Sequence, residues 1–157
     1  MIVASLLIVC ILQVPVAPVP AHDPDPPPLP PGEGREAVVS MCTPCHGVAV
    51  VASVRKTPLA WVSTIETMRG KGAKGTDEQA LAAADYLGKT FPAVEVNSAS
   101  AEEIVTVAGL TAGEAAAIVA YRDAGHTIKS YTELKKVPGL DPKRLAAAKP
   151  KIAYPPQ

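Results

Sequence analysis

The sequence predicts an all-α protein built from two small domains, and three observations support this fold class. Between Glu33 and Phe91, apolar residues recur at helical spacing and no run alternates as a strand does. Beyond Val94, residues 102–118 align without gaps with residues 132–148, which indicates an internal repeat. Ser, Thr or Asp precedes most of these segments, as at helix N-termini.

The chain begins with a segment that resembles an export signal in composition. Residues 2–14 form an apolar run too short for a spanning helix, and residues 19–21 provide small side chains for cleavage before His22. The alternative is that residues 1–21 stay attached as a membrane anchor, because no basic residue precedes the run. Both outcomes predict a periplasmic or other extracytoplasmic location for the rest of the chain.

Composition places a linker after the signal and argues against a strongly charged domain. Residues 22–32 hold six prolines, which is typical of an extended tether. The chain carries 15 basic and 15 acidic residues, and the balance is nearly even in both predicted domains, residues 33–93 and 94–157. Neither domain has the basic excess typical of strong nucleic-acid binding.

Three short helices are predicted in the first domain. The first, residues 34–42, ends at Cys42, and the second, residues 58–68, has one apolar face. The third, residues 76–91, starts with Thr76 and Gln79 at capping-box spacing. The residues expected on the apolar faces of the second and third helices are Trp61, Val62, Ile65, Met68, Leu81, Ala84, Tyr86 and Leu87. A core this small usually needs a metal, a disulfide or a cofactor.

The motif MCTPCHG, which contains Cys42, Cys45 and His46, carries the most specific chemistry of this domain. Zinc lacks a second Cys/His pair, disulfide exchange lacks the strands of a thioredoxin-like context, and a structural disulfide leaves the histidine unexplained. The motif therefore predicts one covalently bound haem c, attached through Cys42 and Cys45, with His46 as an axial iron ligand. Zinc and a disulfide remain the alternatives.

Met68 is predicted as the second axial ligand by elimination among the three methionines. Met1 lies in the signal, and Met41 is adjacent to Cys42 and so cannot reach the opposite face of a haem. An ordinary core role is the alternative for Met68. Trp61, two helical turns earlier on the same face, is predicted to pack against the haem, and a plain core role stays equally open.

A family resemblance follows from these residues. The motif CTPCHG, the helix WVSTIETM, the loop RGKGAKG and the helix end YLGKTF resemble small monohaem class I-like cytochromes c, of the type associated with periplasmic sulfite and quinoprotein dehydrogenases. The resemblance covers residues 34–92. It implies a one-electron carrier with His/Met-ligated iron and a periplasmic redox partner protein. Enzymatic activity is not expected, because iron with both axial positions filled has no position for a substrate.

The internal repeat predicts two helix–turn–helix units in residues 94–157. Gly109 and Gly139 follow the first helix of each unit and are expected to adopt the left-handed conformation that reverses the chain. Helix starts are indicated by Ser100 with Glu103, Thr111 with Glu114, Ser130 with Glu133, and Asp141 with Pro142.

Residues 94–154 resemble the tandem helix-hairpin-helix domain of the competence DNA receptor (ComEA-like) family. The resemblance implies that each turn and the following helix N-terminus offer N–H groups to DNA phosphates without reading sequence. The candidate DNA-contacting residues are Gly139, Lys143 and Arg144. The turns depart from the family pattern, because Asp141 places a carboxylate where a phosphate would dock and the first turn has Glu114 with no Lys or Arg nearby.

Together these observations predict an exported c-type cytochrome that carries single electrons and docks on its partner through a helix-hairpin-helix module. The alternative is a non-specific, competence-receptor-like DNA-binding protein that carries a haem domain, with duplex DNA bound weakly. Contact with a membrane is expected only if the signal is retained.

Overall fold

The structure, a computed structural model, describes residues 29–155. The predicted signal at residues 1–21 and most of the predicted linker at 22–32 lie outside the described residues. The described part of the chain is mostly helical, with eight α-helices and one pair of two-residue strands. No helix among residues 29–155 is both long and apolar enough to cross a membrane.

Four α-helices form the first unit: α1 (Arg35–Cys42), α2 (Val48–Ala52), α3 (Pro58–Gly70) and α4 (Asp77–Thr90). The sequence predicts three of them and misses α2. This helix has only five residues and starts at Gly47 without a side-chain cap, so it gives neither a periodic pattern nor a start signal. Its apolar sequence supplies part of the wall of the cavity described below.

The starts of α3 and α4 follow from local chemistry. Thr57 accepts a hydrogen bond from the Ala60 N–H at 3.2 Å, and Pro58 occupies the first turn of α3. Thr76 and Gln79 form the predicted capping box of α4, in which each side chain accepts a hydrogen bond from the other's N–H.

Two of the side chains predicted on apolar faces are exposed. Leu81 is 67% exposed and Val62 is 39% exposed, although both were expected in the core. Each lies one residue off the buried stripe of its helix, which in α4 contains Ala80, Ala83, Ala84 and Leu87 and in α3 contains Trp61 and Ile65. A helical step of one residue turns a side chain by about 100°, which is enough to move it to the solvent side.

The chain before α1 packs on α4. Leu29 is buried, and the Tyr86 hydroxyl donates a hydrogen bond to the Pro30 carbonyl at 2.6 Å. Gly34 has φ +84°, and a Cβ at this position would lie 2.2 Å from the Ala82 carbonyl oxygen. The last residues of the predicted linker therefore belong to the packed unit.

The second unit contains the two predicted helix–turn–helix repeats. The first consists of α5 (Ala101–Glu103), a π-helical turn (Ile104–Ala108) and α6 (Ala112–Asp123); the second consists of α7 (Tyr131–Leu134), α8 (Pro142–Ala148) and a 3₁₀ turn (Lys149–Lys151). Gly109 at φ +76° and Gly139 at φ +82° adopt the predicted left-handed conformation.

Four polar residues start the helices of the second unit, and one of them departs from the prediction. Ser100 and Thr111 form full capping boxes with Glu103 and Glu114, and Asp141 caps α8. Ser130 accepts a hydrogen bond from the Glu133 N–H, but the Glu133 carboxylate accepts one from the Lys129 N–H instead of closing the box.

A short strand pair is the exception to an all-α fold. Strand β1 (Val94–Glu95) pairs in parallel with β2 (Ile152–Ala153), so that Val94 lies opposite Ile152. Two residues are too few to show alternation, and the sequence does not predict this pair. The pairing brings the two ends of the second unit together.

Buried apolar side chains of the described residues form two clusters. One is drawn from Leu29 to Phe91, and the other from Val94 to Ile152. The two cores therefore divide the chain at residues 92 and 93.

Candidate functional site

An apolar cavity in the first unit is lined by most of the residues that the sequence predicts to contact a haem. Cys42, His46, Trp61 and Met68 all line it. The cavity has a volume of about 130 Å³, below the range of about 300–1,000 Å³ that is usual for small-molecule and cofactor sites. All four helices contribute to the apolar lining, which includes Met41, Val50, Val51, Val54, Ile65, Ala73, Ala83 and Leu87.

The end of α1 positions the motif. The Cys42 carbonyl accepts hydrogen bonds from the Cys45 N–H at 3.5 Å and the His46 N–H at 3.4 Å. This turn places His46 at the cavity that Cys42 also lines. Cys45 is exposed and is not part of the cavity wall. Neither Cys42 nor Cys45 forms a disulfide bond within residues 29–155.

The environment of Cys42 differs from that of a disulfide-exchange cysteine. Burial raises the pKa of the Cys42 thiol above its ordinary value. Exchange nucleophiles have lowered thiol pKa values, because the thiolate is the reactive form. The half-buried position of Cys42 therefore favours a protonated thiol at neutral pH.

His46 brings an unsatisfied polar atom into this site. Its Nδ1 is buried and has no hydrogen-bond partner within residues 29–155. A buried polar atom without a partner is destabilising by about 1–3 kcal/mol, and in a native protein it requires an explanation. An imidazole at an apolar cavity beside Cys42 fits the expectation for an axial ligand of a covalently attached haem.

Trp61 is held rigidly in the cavity wall. It is buried, and its Nε1 donates a hydrogen bond to the Phe91 carbonyl at 3.1 Å, which connects α3 to the end of α4. The Lys56 Nζ lies 5.9 Å from the centroid of the Trp61 ring and also borders the cavity. Lys56 has no counterpart in the sequence prediction, since a lone lysine before a helix carries no motif.

Two methionines line the cavity, although the sequence selects one. Met68 lies on α3 and is half-buried, whereas Met41 is 4% exposed at the end of α1. Met41 packs closely on Gly75, where an added Cβ would lie 2.9 Å from the Met41 Sδ. Met41 is therefore fixed as a core residue, and Met68 stays the predicted ligand.

Three of the four residues predicted to hold a haem line the same cavity. Cys42, His46 and Met68 border one apolar space, whereas Cys45, three residues after Cys42, is exposed and does not line it. Residues 29–155 contain no group of three or more His, Cys, Asp or Glu side chains arranged to bind a metal ion. A haem iron needs only one of these residue types, together with a methionine, as axial ligands.

The second unit contains a buried carboxylate at the junction of its two turns. Glu114 is 4% exposed, and its Oε2 accepts hydrogen bonds from the Thr111 N–H, the Thr111 hydroxyl and the Arg144 Nε, each at 2.8 Å. Its Oε1 accepts a fourth bond from the Asp141 N–H at 2.9 Å. Burial alone would raise the pKa of Glu114, but the hydrogen bonds from Thr111, Asp141 and Arg144 lower it to about 2.

This geometry changes the account of the candidate DNA-contacting residues. Gly139 and Lys143 are exposed, but Arg144 pairs with Glu114, and its N–H donates to the Asp141 carboxylate at 2.8 Å. The expectation that no basic residue lies near the first turn is wrong, because Arg144 reaches it from the second repeat. The repeat offset carries a signal for this contact, since Glu114 and Arg144 occupy equivalent positions with opposite charge.

Comparison with known proteins assigns the second unit. Residues 89–153 match the family described as helix-hairpin-helix motif. The second unit is therefore similar to this family, and it is named the helix-hairpin-helix domain for that similarity. The match runs from the end of α4 to β2 and includes neither the Cys-x-x-Cys-His motif nor most of the cavity wall. No curated protein and no solved structure matches the chain.

Proposed function

We propose that the protein is an exported one-electron carrier, a c-type cytochrome whose helix-hairpin-helix domain serves for docking. The observation that carries the proposal is the convergence of Cys42, His46 and Met68 on one apolar cavity, with Cys45 three residues after Cys42 in the chain. Haem c bound there would supply an iron centre that gains and loses one electron.

The residues of the cavity have distinct parts in this proposal. Cys42 and Cys45 would hold the group through thioethers, and His46 and Met68 would bind its iron. Trp61, fixed by its hydrogen bond to Phe91, and the surrounding apolar side chains exclude water from the site. With both axial ligands in place, the iron has no open position for a substrate, so the proposal is a carrier and not an enzyme.

Export and a redox partner belong to the same proposal. The apolar run at residues 2–14 and the small residues at 19–21 support export to the periplasm. A partner protein there would supply or accept the electron. If residues 1–21 are retained, they would hold the carrier at the membrane.

A redox titration of the full chain, produced in a host that matures c-type cytochromes, tests the proposal. We expect a reversible one-electron change of the haem absorbance and little reaction of the reduced protein with carbon monoxide. A Cys42→Ala/Cys45→Ala form, made in the same host, is the control and should retain no haem. A folded, colourless full-length protein, or a reduced form that binds carbon monoxide readily, would contradict the proposal.

The helix-hairpin-helix match supports a second candidate, non-specific binding of duplex DNA. Lys143 lies exposed after the left-handed turn at Gly139, where the family pattern expects a phosphate. Arg144 and the turn amides of Thr111 and Asp141 are already bound to Glu114, so we expect weak affinity. Gel shifts at several salt concentrations test this candidate, since each phosphate contact adds about one unit to the salt slope.

A further inference from the structure

The charges of the helix-hairpin-helix domain are unevenly divided between its two repeats. Residues 94–126 carry five acidic side chains and one basic side chain, a net charge of −4. Residues 129–151 carry seven basic side chains and two acidic ones, a net charge of +5. The nearly even balance of the whole domain therefore conceals a strong separation of charge, which favours an anionic partner at the second repeat alone.

The Glu114 carboxylate accepts hydrogen bonds from the backbone of both turns. The alignment at an offset of 30 makes Thr111 equivalent to Asp141 and Glu114 equivalent to Arg144. Thr111, Asp141 and Arg144 all donate hydrogen bonds to the Glu114 carboxylate. An incoming phosphate would have to displace a buried carboxylate that already accepts four hydrogen bonds. Glu114 therefore already occupies the Thr111 and Asp141 amides and the Arg144 guanidinium that an anion would need at the turns.

Two exposed lysines of the second repeat lie around Tyr131. Lys135, at the end of α7, places its Nζ 5.5 Å from the centroid of the Tyr131 ring. Lys149, in the 3₁₀ turn after α8, places its Nζ 5.1 Å from the same centroid. Both distances are within the range of about 6 Å over which an ammonium group is attracted to an aromatic ring. Both lysines are exposed, and neither takes part in an ion pair within residues 29–155.

We propose that Tyr131, Lys135 and Lys149, the Tyr131 face, form the docking surface of the domain and bind a compact acidic patch on a partner protein. This inference rests on the proposed docking role and adds the surface and the chemistry of the partner. Two carboxylates of such a patch would meet Lys135 and Lys149, while the ring of Tyr131 supplies the aromatic centre typical of interface hot spots. Duplex DNA fits less well, because Arg144 and the Thr111 and Asp141 amides at the turns are already bound to Glu114.

Binding of a short glutamate-rich peptide to the full-length protein at low salt tests the proposal. Lys135→Gln/Lys149→Gln should weaken binding about tenfold, equivalent to about 1.4 kcal/mol. Lys136→Gln/Lys143→Gln is the matched control, because it removes two exposed lysines of the same repeat that do not contact Tyr131. The control should weaken binding by no more than about threefold. If the two variants lost peptide affinity equally, the effect would depend only on net charge and the proposal would be overturned.

A footprint on the wild-type protein keeps the test independent of variant folding. The bound peptide should protect Lys135 and Lys149 from acylation and leave Lys136 and Lys143 reactive. The same assay with a short duplex identifies the other outcome: tighter binding of DNA than of peptide, with protection of Lys143, would overturn the proposal in favour of nucleic acid. Haem absorbance of the same samples separates the two proposals, because a wild-type protein that retains haem but does not bind the peptide contradicts only the docking surface.

Discussion

Individual side chains determine the chemistry of the cavity, and its two methionines have different surroundings. Met41 is buried at the end of α1 and packs on Gly75, whereas Met68 is half-buried on α3. A thioether that is to bind iron needs freedom to approach it, and Met68 is less constrained by its neighbours. Exchange of either methionine for leucine preserves volume and removes only the sulfur.

Met68→Leu should therefore alter the haem and Met41→Leu should not. We expect Met68→Leu to lower the reduction potential, change the visible spectrum and allow carbon monoxide to bind, because one axial position opens. Met41→Leu is the volume-matched control within the same cavity. If Met41→Leu changed the spectrum and Met68→Leu left it intact, the ligand assignment would be reversed.

Glu114 gives a second prediction for a single residue. Glu114→Gln removes the buried charge that accepts four hydrogen bonds and should lower the free energy of unfolding of the helix-hairpin-helix domain by about 1–3 kcal/mol at neutral pH. The pKa of Glu114 is lowered from 4.5 to about 2, so its stabilising effect is complete above pH 4.5 and is lost as the pH falls toward 2. The stability difference between the wild type and the variant should shrink over that range.

Urea unfolding followed by far-UV circular dichroism at several pH values measures this difference. Glu102→Gln is a suitable control, because Glu102 is an exposed carboxylate of the same repeat without a hydrogen-bonded cation. A constant difference between the wild type and Glu114→Gln down to pH 2 would show that the Glu114 carboxylate is not the source of the stability.

At the scale of elements, the approach of α1 to α4 depends on Gly34. Gly34→Ala combines a left-handed φ of +84° with a Cβ that would lie 2.2 Å from the Ala82 carbonyl oxygen. We expect thermal unfolding of the first unit to shift down by the equivalent of about 1–3 kcal/mol. Gly70→Ala is the control, since its Cβ would meet no atom within 4 Å at the end of α3. Similar effects of the two substitutions would contradict this account of the packing.

Local elements could be predicted from the sequence because their causes are local. The capping boxes at Thr76 and Thr111 and the left-handed turn at Gly139 each depend on residues within four positions of one another. Helix α2 was missed because it lacks a cap, and Leu81 was misplaced because a helix with many alanines leaves its buried face ambiguous. The strand pair depends on residues far apart in the chain, for which two-residue patterns carry no signal.

The candidate site likewise has a part that the sequence predicts and a part that only the folded structure shows. The Cys-x-x-Cys-His motif is contiguous, so the sequence alone identifies Cys42, Cys45 and His46. The contribution of α2 to the cavity wall and the contact between Glu114 and Arg144 require the folded chain. The internal repeat marks Glu114 and Arg144 as equivalent, but it does not show that equivalent positions face each other.

At the scale of the whole molecule, residues 29–155 contain two separate apolar cores, and within them only the first core borders a cavity at which an imidazole nitrogen has no hydrogen-bond partner. Because of this cavity, the unit of four short helices buries less apolar surface against itself. Ordering each of its residues costs about 1–2 kcal/mol of backbone entropy, which that burial has to offset. The helix-hairpin-helix domain has a filled core of its own, from Val94 to Ile152. The two units should therefore differ in their need for a cofactor.

The haem-free Cys42→Ala/Cys45→Ala protein should lose cooperative unfolding of the first unit and keep that of the second. Trp61 is the only tryptophan in the chain, so its fluorescence reports on the first unit, while far-UV circular dichroism reports on both. We expect a gradual fluorescence change and a cooperative circular dichroism transition in urea. A single transition shared by both signals would show that the first unit folds without haem.

Mass spectrometry of the fragment that contains Met41–Gly47 tests the central claim most directly. The protein is produced in a host that matures c-type cytochromes, denatured, extracted with acidified acetone and digested. The account predicts that haem stays on this fragment, joined to both Cys42 and Cys45, and gives a pyridine haemochrome spectrum of the c type. A folded protein whose fragment carries two free thiols, or whose haem is extracted, would contradict it.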